Sequence, residues 1–281
     1  MPKNRPAIQF TKMHGAGNDF VMLDAVSQRL KIRPKDVSRI ANRRTGIGCD
    51  QVLIAEPPSR PDTDFTYRIF NSDGSEAGQC GNGARCFARF VRHRRLTQKR
   101  NLAVETISGL MQLRMCDQQE VEVNMGEPVF DPGKIPLSRD QQCEQYELDV
   151  DGEKLSIGAL SMGNPHAVLR VASLADGHLE RLGKKIESHP DFPERVNAGF
   201  MQVIGPNRIK LRVFERGVGE TLACGSGACA AVVYGQILGW LDKEVAVELP
   251  GGKLAVEWPG PDHGVMLRGP TAISFEGSLR L

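Results

Sequence analysis

The sequence predicts an α/β chain of the α+β type, built as two pseudo-symmetric domains, and three observations predict it. At 281 residues the chain is long for one compact unit and suits two domains of about 100–150 residues each. The stretches Cys80-Gly-Asn-Gly-Ala-Arg-Cys86 and Cys224-Gly-Ser-Gly-Ala-Cys229 each place a cysteine before a Gly-x-Gly turn that opens a helical pattern. The surroundings of these cysteines repeat: 144 positions separate Cys80 from Cys224, and Arg68, Phe70, Glu76, Gly81, Gly83 and Ala84 recur at that offset as Arg212, Phe214, Glu220, Gly225, Gly227 and Ala228. Upstream, Gly17-Asn18 matches Gly163-Asn164 at 146, and Gly48 with Gln51 matches Gly199 with Gln202 at 151. Blocks recurring in one order indicate a duplicated unit.

Residues Ala7 to Phe10 read as a strand, His14-Gly-Ala-Gly-Asn-Asp19 as a turn and Phe20 to Leu23 as a second strand. Pro34 opens a helix to Arg44, in the first-turn position proline tolerates. Gly46-Ile-Gly-Cys-Asp50 breaks it before strands at Gln51 to Ala55 and Phe65 to Phe70. The helix after Cys80 carries Phe87, Ala88, Phe90 and Val91 on one face, while that after Cys224, through Ala231, Val232, Val233, Ile237 and Leu238, is apolar nearly all round. Strands follow at Leu102 to Thr106, Met111 to Met115 and Val121 to Met125, with Ser108-Gly109 as a hairpin turn. In the second half Leu174 to Ile186 takes the place of the Pro34 helix, and Val245 to Leu281 is strand-like with no pairing legible.

Lys plus Arg at 36 against Asp plus Glu at 34 leaves a net charge of +2, which gives no reason to expect a nucleic-acid partner. The basic run Arg92-His-Arg-Arg95 falls at a helix C-terminus, where cations are favoured and solvated. The first residues, Met-Pro-Lys-Asn-Arg-Pro, lack an apolar signal region, and no apolar run reaches membrane length. A cytoplasmic protein with no membrane partner is expected. Seven cysteines, an odd number without the spacing of a small secreted domain, point to free thiols in a reducing compartment.

A cysteine at a helix N-terminus sits among unpaired N–H groups and the positive end of the dipole, which favour a thiolate and hold an anion. Two such thiols on opposite faces of a carbon, one ionised and one protonated, remove a proton from one side and return one to the other, inverting configuration. The α-proton of an amino acid is a very weak acid, so donors aimed at the carboxylate are required, and two helix starts supply them. No lysine stands in a pyridoxal context, so no cofactor is expected. The competing reading of Cys80 and Cys224 as buried apolar side chains explains one such cysteine better than a matched pair. Cys86 and Cys229 follow six and five residues behind their partners, off the same helix face and in no Cys-x-x-Cys clamp, so no metal is expected. Cys86, Cys229, Cys49, Cys116 and Cys143 read as structural.

Asn18, Gln51, Asn71, Asn82, Asn164 and Asn197 enrich the surrounding loops in amides, which suit a zwitterion as well as they suit turns. Glu215-Arg216 offers one charge of each sign before Cys224, as a site pair or an exposed one, and Arg216 can take a second carboxylate in bidentate fashion. His166 either tunes a thiol or is held by a hydrogen bond. Gly46-Ile-Gly48 and Gly15-Ala-Gly17 lack the spacing of a dinucleotide fingerprint.

The chain resembles the diaminopimelate epimerases, cofactor-independent enzymes that convert LL-diaminopimelate to the meso form. The resemblance rests on His14-Gly-Ala-Gly-Asn-Asp-Phe20, Arg44-Thr-Gly-Ile-Gly-Cys-Asp-Gln51, Asn71-Ser-Asp-Gly74, Cys80-Gly-Asn-Gly-Ala-Arg85, Gly163-Asn-Pro-His166 and the block from Glu215 to Gly227. It implies two domains, 1–124 joined by the tail 270–281, and 125–269, each a strand-rich, barrel-like sheet around a central helix, with the site in the cleft between them. It further implies Cys80 and Cys224 as the acid/base pair. Asn18, Gln51, Asn71, Asn164, Asn197, Glu215 and Arg216 would contact substrate, with backbone groups of Gly81, Asn82, Gly225 and Ser226 around the reacting carboxylate. His166 and Glu215 would modulate the thiols, and the partner would be a second copy in a homodimer. One position departs from the family pattern: Phe275 stands where relatives carry a tyrosine at the dimer contact. Two readings compete: a proline or hydroxyproline epimerase, whose monocarboxylate substrate leaves Arg216 without a purpose, and a non-catalytic thiol-redox or small-ligand binding protein.

Overall fold

Ala16 and Gly17 both take positive φ, 52° and 85°, the pair of left-handed residues that a tight two-residue hairpin requires. The expected turn at residues 14–19 therefore shrinks to its two central residues. Strand β1 runs Ile8–Gly15 and β2 runs Asn18–Asp24. The computed structural model describes residues 7–78, 80–175 and 177–280; the N-terminal hexapeptide lies outside them. Among the described residues, those up to Val123 and those from Gly269 onward form one compact unit, and Asn124–Arg268 form the other.

In the first unit α1 (Pro34–Ala41) stops three residues short of the expected Arg44. The Asn42 side chain turns the chain instead, its Oδ1 accepting from the Arg44 and Thr45 N–H groups. Strands β3 (Gln51–Glu56), β4 (Phe65–Asn71) and the short β5 (Glu76–Ala77) precede α2 (Gly81–His93). Strands β6 (Asn101–Thr106), β7 (Gly109–Met115) and β8 (Glu120–Asn124) follow. Pairing is antiparallel except for β2 with β3 and β4 with β6. The sheet packs around α2, whose first ten residues are all buried except Arg89 at position nine, half-exposed.

The second unit begins with a 3₁₀ turn, Pro132–Lys134, and strands β9 (Tyr146–Val150), β10 (Glu153–Ser161) and β11 (Pro165–Arg170). Helix α3 is His178–Glu187. It does not start at Leu174, because Ser173 Oγ accepts from Ala175 N in a side-chain turn. Strands β12 (Asn197–Gly205), β13 (Arg208–Glu215) and β14 (Gly219–Thr221) lead to α4 (Gly225–Ile237), then β15 (Glu244–Leu249), β16 (Gly252–Glu257) and β17 (Met266–Pro270). Again all pairs are antiparallel but two, β11 with β12 and β13 with β15. An all-round apolar helix must be enclosed; α4 is, by β10 to β13 and β16.

Topology therefore repeats strand for strand, β10 to β17 on β1 to β8. Strand β18 (Ala272–Leu279) pairs with β1 as β9 pairs with β10, so the C-terminal stretch fills in the first unit the place that β9 fills in the second. The register corrects one expectation. Phe20 lies opposite Gln51 in one parallel pair and His166 opposite Asn197 in the other. Gln51 thus corresponds to Asn197, not to Gln202, and the Gly48/Gly199 match is a coincidence of composition. The same alignment puts Asn71 in the place of Glu215, since Phe70 and Phe214 face Glu76 and Glu220 in matching pairs. Those pairs keep their contacts too: Arg68 Nε meets Glu76 at 2.8 Å and Arg212 Nε meets Glu220 at 2.6 Å, each guanidinium over its neighbouring Phe ring.

Candidate active site

Each unit delivers its cysteine by one device: an antiparallel strand pair ends, the chain turns, and the cysteine becomes the N-cap of the central helix. Cys80 and Cys224 both have extended backbone there, the conformation an N-cap takes. The third helical residue is glycine in both, and a side chain there would crowd its neighbours. A Cβ on Gly83 would stand 2.5 Å from the Tyr67 hydroxyl and 3.4 Å from Cys80 Sγ; one on Gly227 would stand 3.0 Å from Val213 and 3.3 Å from Cys224 Sγ.

The half-buried Cys80 Sγ accepts from Gly83 N at 3.3 Å and donates to Asn18 Oδ1 at 3.8 Å. Asn18 Nδ2 in turn donates to Asp50 at 2.6 Å. Gln51 Nε2 donates to Asn71 Oδ1 at 3.0 Å, and Asn71 Nδ2 to Ser75 at 3.1 Å. Two buried oxygens here have no partner among the described residues, Gln51 Oε1 and the Tyr67 hydroxyl. An unpaired buried acceptor costs about 1–3 kcal/mol, so Gln51 Oε1 suits a ligand donor such as an ammonium. The Asn82 side chain accepts from Arg85 Nη2 at 2.8 Å, and Asn82 and Gly81 are buried in the first turn of α2. Burial pushes the Tyr67 phenol well up, and Cys80 and Cys86 add to it.

Cys224 is only 4% exposed. Burial pushes its thiol well above the usual range and the Glu215 carboxylate pushes further, while the Ser226 hydroxyl and Gly227 N–H pull back. Ser226 Oγ lies 3.5 Å from Sγ, and Thr221 donates to Glu215 Oε1 at 2.5 Å, fixing that carboxylate. Gly225 is buried at the first helical position. His166 Nε2 meets Asn164 Oδ1 at 3.0 Å; burial and the Arg216 charge lower its pKa to about 3, so the ring is neutral. Asn197 is committed at both ends, donating to Pro165 O at 2.8 Å and accepting from Arg216 N at 3.0 Å. The exposed Arg216 reaches Glu194 O at 3.3 Å, and Gly217 N donates to Glu187 at 2.8 Å.

Of the predicted residues, Asn18, Gln51, Asn71, Cys80, Gly81 and Asn82 belong to the first unit, where Asn18 bonds Cys80 and Gln51 bonds Asn71, and Asn164, His166, Asn197, Glu215, Arg216, Cys224, Gly225 and Ser226 belong to the second. Cys49, Cys86 and Cys229 are buried, and burial raises the first two to about 12. Cys143 is exposed, and Cys116 is half-buried with its Sγ 3.9 Å from the Arg114 carbonyl. Sequence reasoning passed over Asp50, Tyr67 and Thr221. Asp50 was visible in the Gly-Cys-Asp-Gln motif, but nothing local signals that its carboxylate reaches back to Asn18. Among the described residues there is no group of three or more side chains able to hold a metal ion, and no helix long and apolar enough to cross a membrane.

The diaminopimelate epimerase family model matches residues 10–130 and 158–273, one segment per repeat. The chain belongs to the diaminopimelate epimerase family. It is 55% identical over 274 residues to the diaminopimelate epimerase of Teredinibacter turnerae and 54% identical over 274 residues to that of Ectopseudomonas mendocina, with 98% of this chain and 99% of each relative covered. Among solved structures, a hydroxyproline epimerase from Agrobacterium vitis superposes with a TM-score of 0.72 at 14% identity, covering 100% of this chain and 94% of its own. A PhzF-family phenazine biosynthesis protein from Bacillus anthracis gives 0.71 at 18%, covering 99% and 100%. At these identities the likeness extends to the mixed α/β, strand-rich fold.

Proposed function

We propose that the chain is a cofactor-independent isomerase that epimerises LL-2,6-diaminopimelate to meso-diaminopimelate, a step of lysine and peptidoglycan-precursor synthesis. The observation that carries this reading is the pair of cysteines at equivalent helix N-caps of a duplicated unit, in a chain of this family. Inversion needs a base on one face of the α-carbon and an acid on the other. One thiol from each unit is assigned to the same carbon: the thiolate takes the α-proton, charge builds on the carboxylate, and the opposite thiol returns a proton. Backbone N–H groups of Gly81, Asn82, Gly225 and Ser226 stabilise that charge where it develops. Gln51 Oε1, buried and unpartnered among the described residues, accepts from an ammonium. Asn18, Asn71, Asn164 and Asn197 complete the amide surround.

Arg216, exposed on the turn after β13, favours a dicarboxylate over proline, and Glu215 modulates the Cys224 thiol. His166 acts on this site through Asn164. We further propose that the chain works as a homodimer in the cytoplasm, a reducing compartment that keeps both thiols free. The test is incubation with LL-diaminopimelate, proline and other amino acids in deuterated, reducing buffer. Exchange at the α-carbon of diaminopimelate alone is expected. Exchange confined to proline or hydroxyproline would favour the fold neighbours' chemistry, and no exchange with any amino acid would reduce the chain to a ligand-binding or thiol-redox protein.

A further inference from the structure

We propose that Asp50 is a positioning residue that locks the Asn18 amide with its oxygen toward Cys80, and thereby sets the protonation of that thiol. The proposal rests on the assignment of Cys80 to proton transfer. A carboxylate accepts hydrogen bonds and does not donate them, so the 2.6 Å contact between Asn18 Nδ2 and Asp50 Oδ2 fixes which end of the amide faces which way. The Oδ1 end is left for Cys80 Sγ, at 3.8 Å. An acceptor beside a thiol stabilises the protonated form; a rotated amide would present N–H and stabilise the thiolate.

Asp50 is held for this task. It and Asp19 each accept, on a carboxylate oxygen, the other's backbone N–H: Asp19 N donates to Asp50 Oδ2 at 3.1 Å and Asp50 N to Asp19 Oδ1 at 2.9 Å. Arg43 spans both carboxylates, with two bonds to Asp19 at 2.9 and 2.7 Å and one to Asp50 at 2.7 Å. Lys12 closes the group from β1, on Asp19 at 2.6 Å and on the Gly48 carbonyl. The arrangement belongs to the first unit alone. In the second, residue 196, in register with Asp50, is the buried Val196, and Asn164 is held by the neutral His166 ring. The other charged and titratable groups here include Arg85, bonded to the Gly81 carbonyl and to Asn82, Cys49, beside Lys12, Asp19 and Asp50, and Tyr67 and Cys86 beside Cys80, with Arg85 and Arg89 acting on Cys86.

The experiment is the pH dependence of iodoacetamide alkylation at Cys80, read by mass mapping of its peptide with Cys224 as internal reference. In Asp50→Ala the amide is free to rotate, and alkylation of Cys80 below its titration midpoint is expected to rise about three- to tenfold, with Cys224 unchanged. Asp50→Asn retains a carbonyl acceptor for Asn18 and is expected to stay within about twofold of the unmodified chain. An unchanged Cys80 profile in Asp50→Ala, with only a loss of thermal stability, would overturn the proposal. Should Asp50→Ala not fold, the unmodified chain supplies a second reading: the Asn18 side-chain NH2 is expected to be protected from hydrogen exchange and shifted by its carboxylate bond, and NH2 signals of a free, solvated amide would overturn it equally. Neither reading needs turnover, so this proposal and the assigned reaction fail separately.

Discussion

Where the first unit carries Phe20, Asn71 and Arg85, the second carries His166, Glu215 and Cys229. Phe20 and His166 face Gln51 and Asn197 in matching parallel pairs, and Arg85 and Cys229 are wholly buried one turn into the two central helices. Backbone, turn geometry and the glycines beside each thiol are duplicated; the charges are not. Near Cys80 stand the Asn18 amide and the buried Arg85 guanidinium, which reaches the Gly81 carbonyl, and beside Cys224 stands the Glu215 carboxylate. The proposed reaction uses one thiol as base and the other as acid, alike in position and opposite in protonation state. Duplication accounts for the likeness in position, and the substitutions make the two surroundings differ.

The largest expected effect removes the pair. Cys80→Ala and Cys224→Ala are each expected to lower epimerisation by at least about 10²–10⁴-fold, measured as conversion of LL- to meso-diaminopimelate; a variant keeping most of its activity would break the two-thiol account. Next comes the charge difference. Because Glu215 raises the Cys224 thiol, Glu215→Gln is expected to speed Cys224 alkylation near neutral pH about tenfold while leaving Cys80 as it was.

Acid stability sharpens the comparison further. His166 stays neutral in the fold to about pH 3 but takes a proton near 6.5 when unfolded. Between those values the unfolded chain binds more protons, so stability falls as pH drops below 6.5, by on the order of 1–2 kcal/mol at about pH 5. In the first unit burial pushes Asp19 up, but Arg43 and Lys12 outweigh it and hold the carboxyl well below 3.8, so its contribution is lost only as pH falls below that value. His166→Phe, which gives the second unit the residue of the first, is expected to remove the loss between pH 6.5 and 5 in denaturant titrations.

Smaller effects probe what is shared. Gly83→Ala meets a hydroxyl at 2.5 Å and Leu53 at 3.1 Å, whereas Gly227→Ala meets Val213 at 3.0 Å, so the first is expected to cost about 2–3 kcal/mol and the second about 1. Arg68→Met and Arg212→Met, which break equivalent ion pairs, are expected to cost about 0.5–1 kcal/mol each, read as matching shifts in melting temperature.

Much of this was legible in the residues. The Cys-Gly-x-Gly pairs located both central helices, and the offset of 144 exposed the repeat, because Phe70 pairs with Glu76 and Arg68 binds that carboxylate, an arrangement the second unit keeps. The offset of 151 misled, since Gly199 and Gln202 match in type while parallel pairing fixes a different register. The hairpin at Ala16-Gly17 was longer than expected because a non-glycine residue takes positive φ there. The hold of Asp50 on Asn18 lay beyond reach: it spans 32 positions and depends on β2 and β3 lying side by side.

Epimerisation of LL-diaminopimelate in deuterated water tests the two-thiol claim most directly. If one thiol removes the proton and the other, already exchanged with solvent, returns one, the first meso product formed carries deuterium at the inverted carbon while the remaining LL substrate stays protonated. Early meso product that keeps its original proton would mean a single base acting on both faces, and would contradict the account.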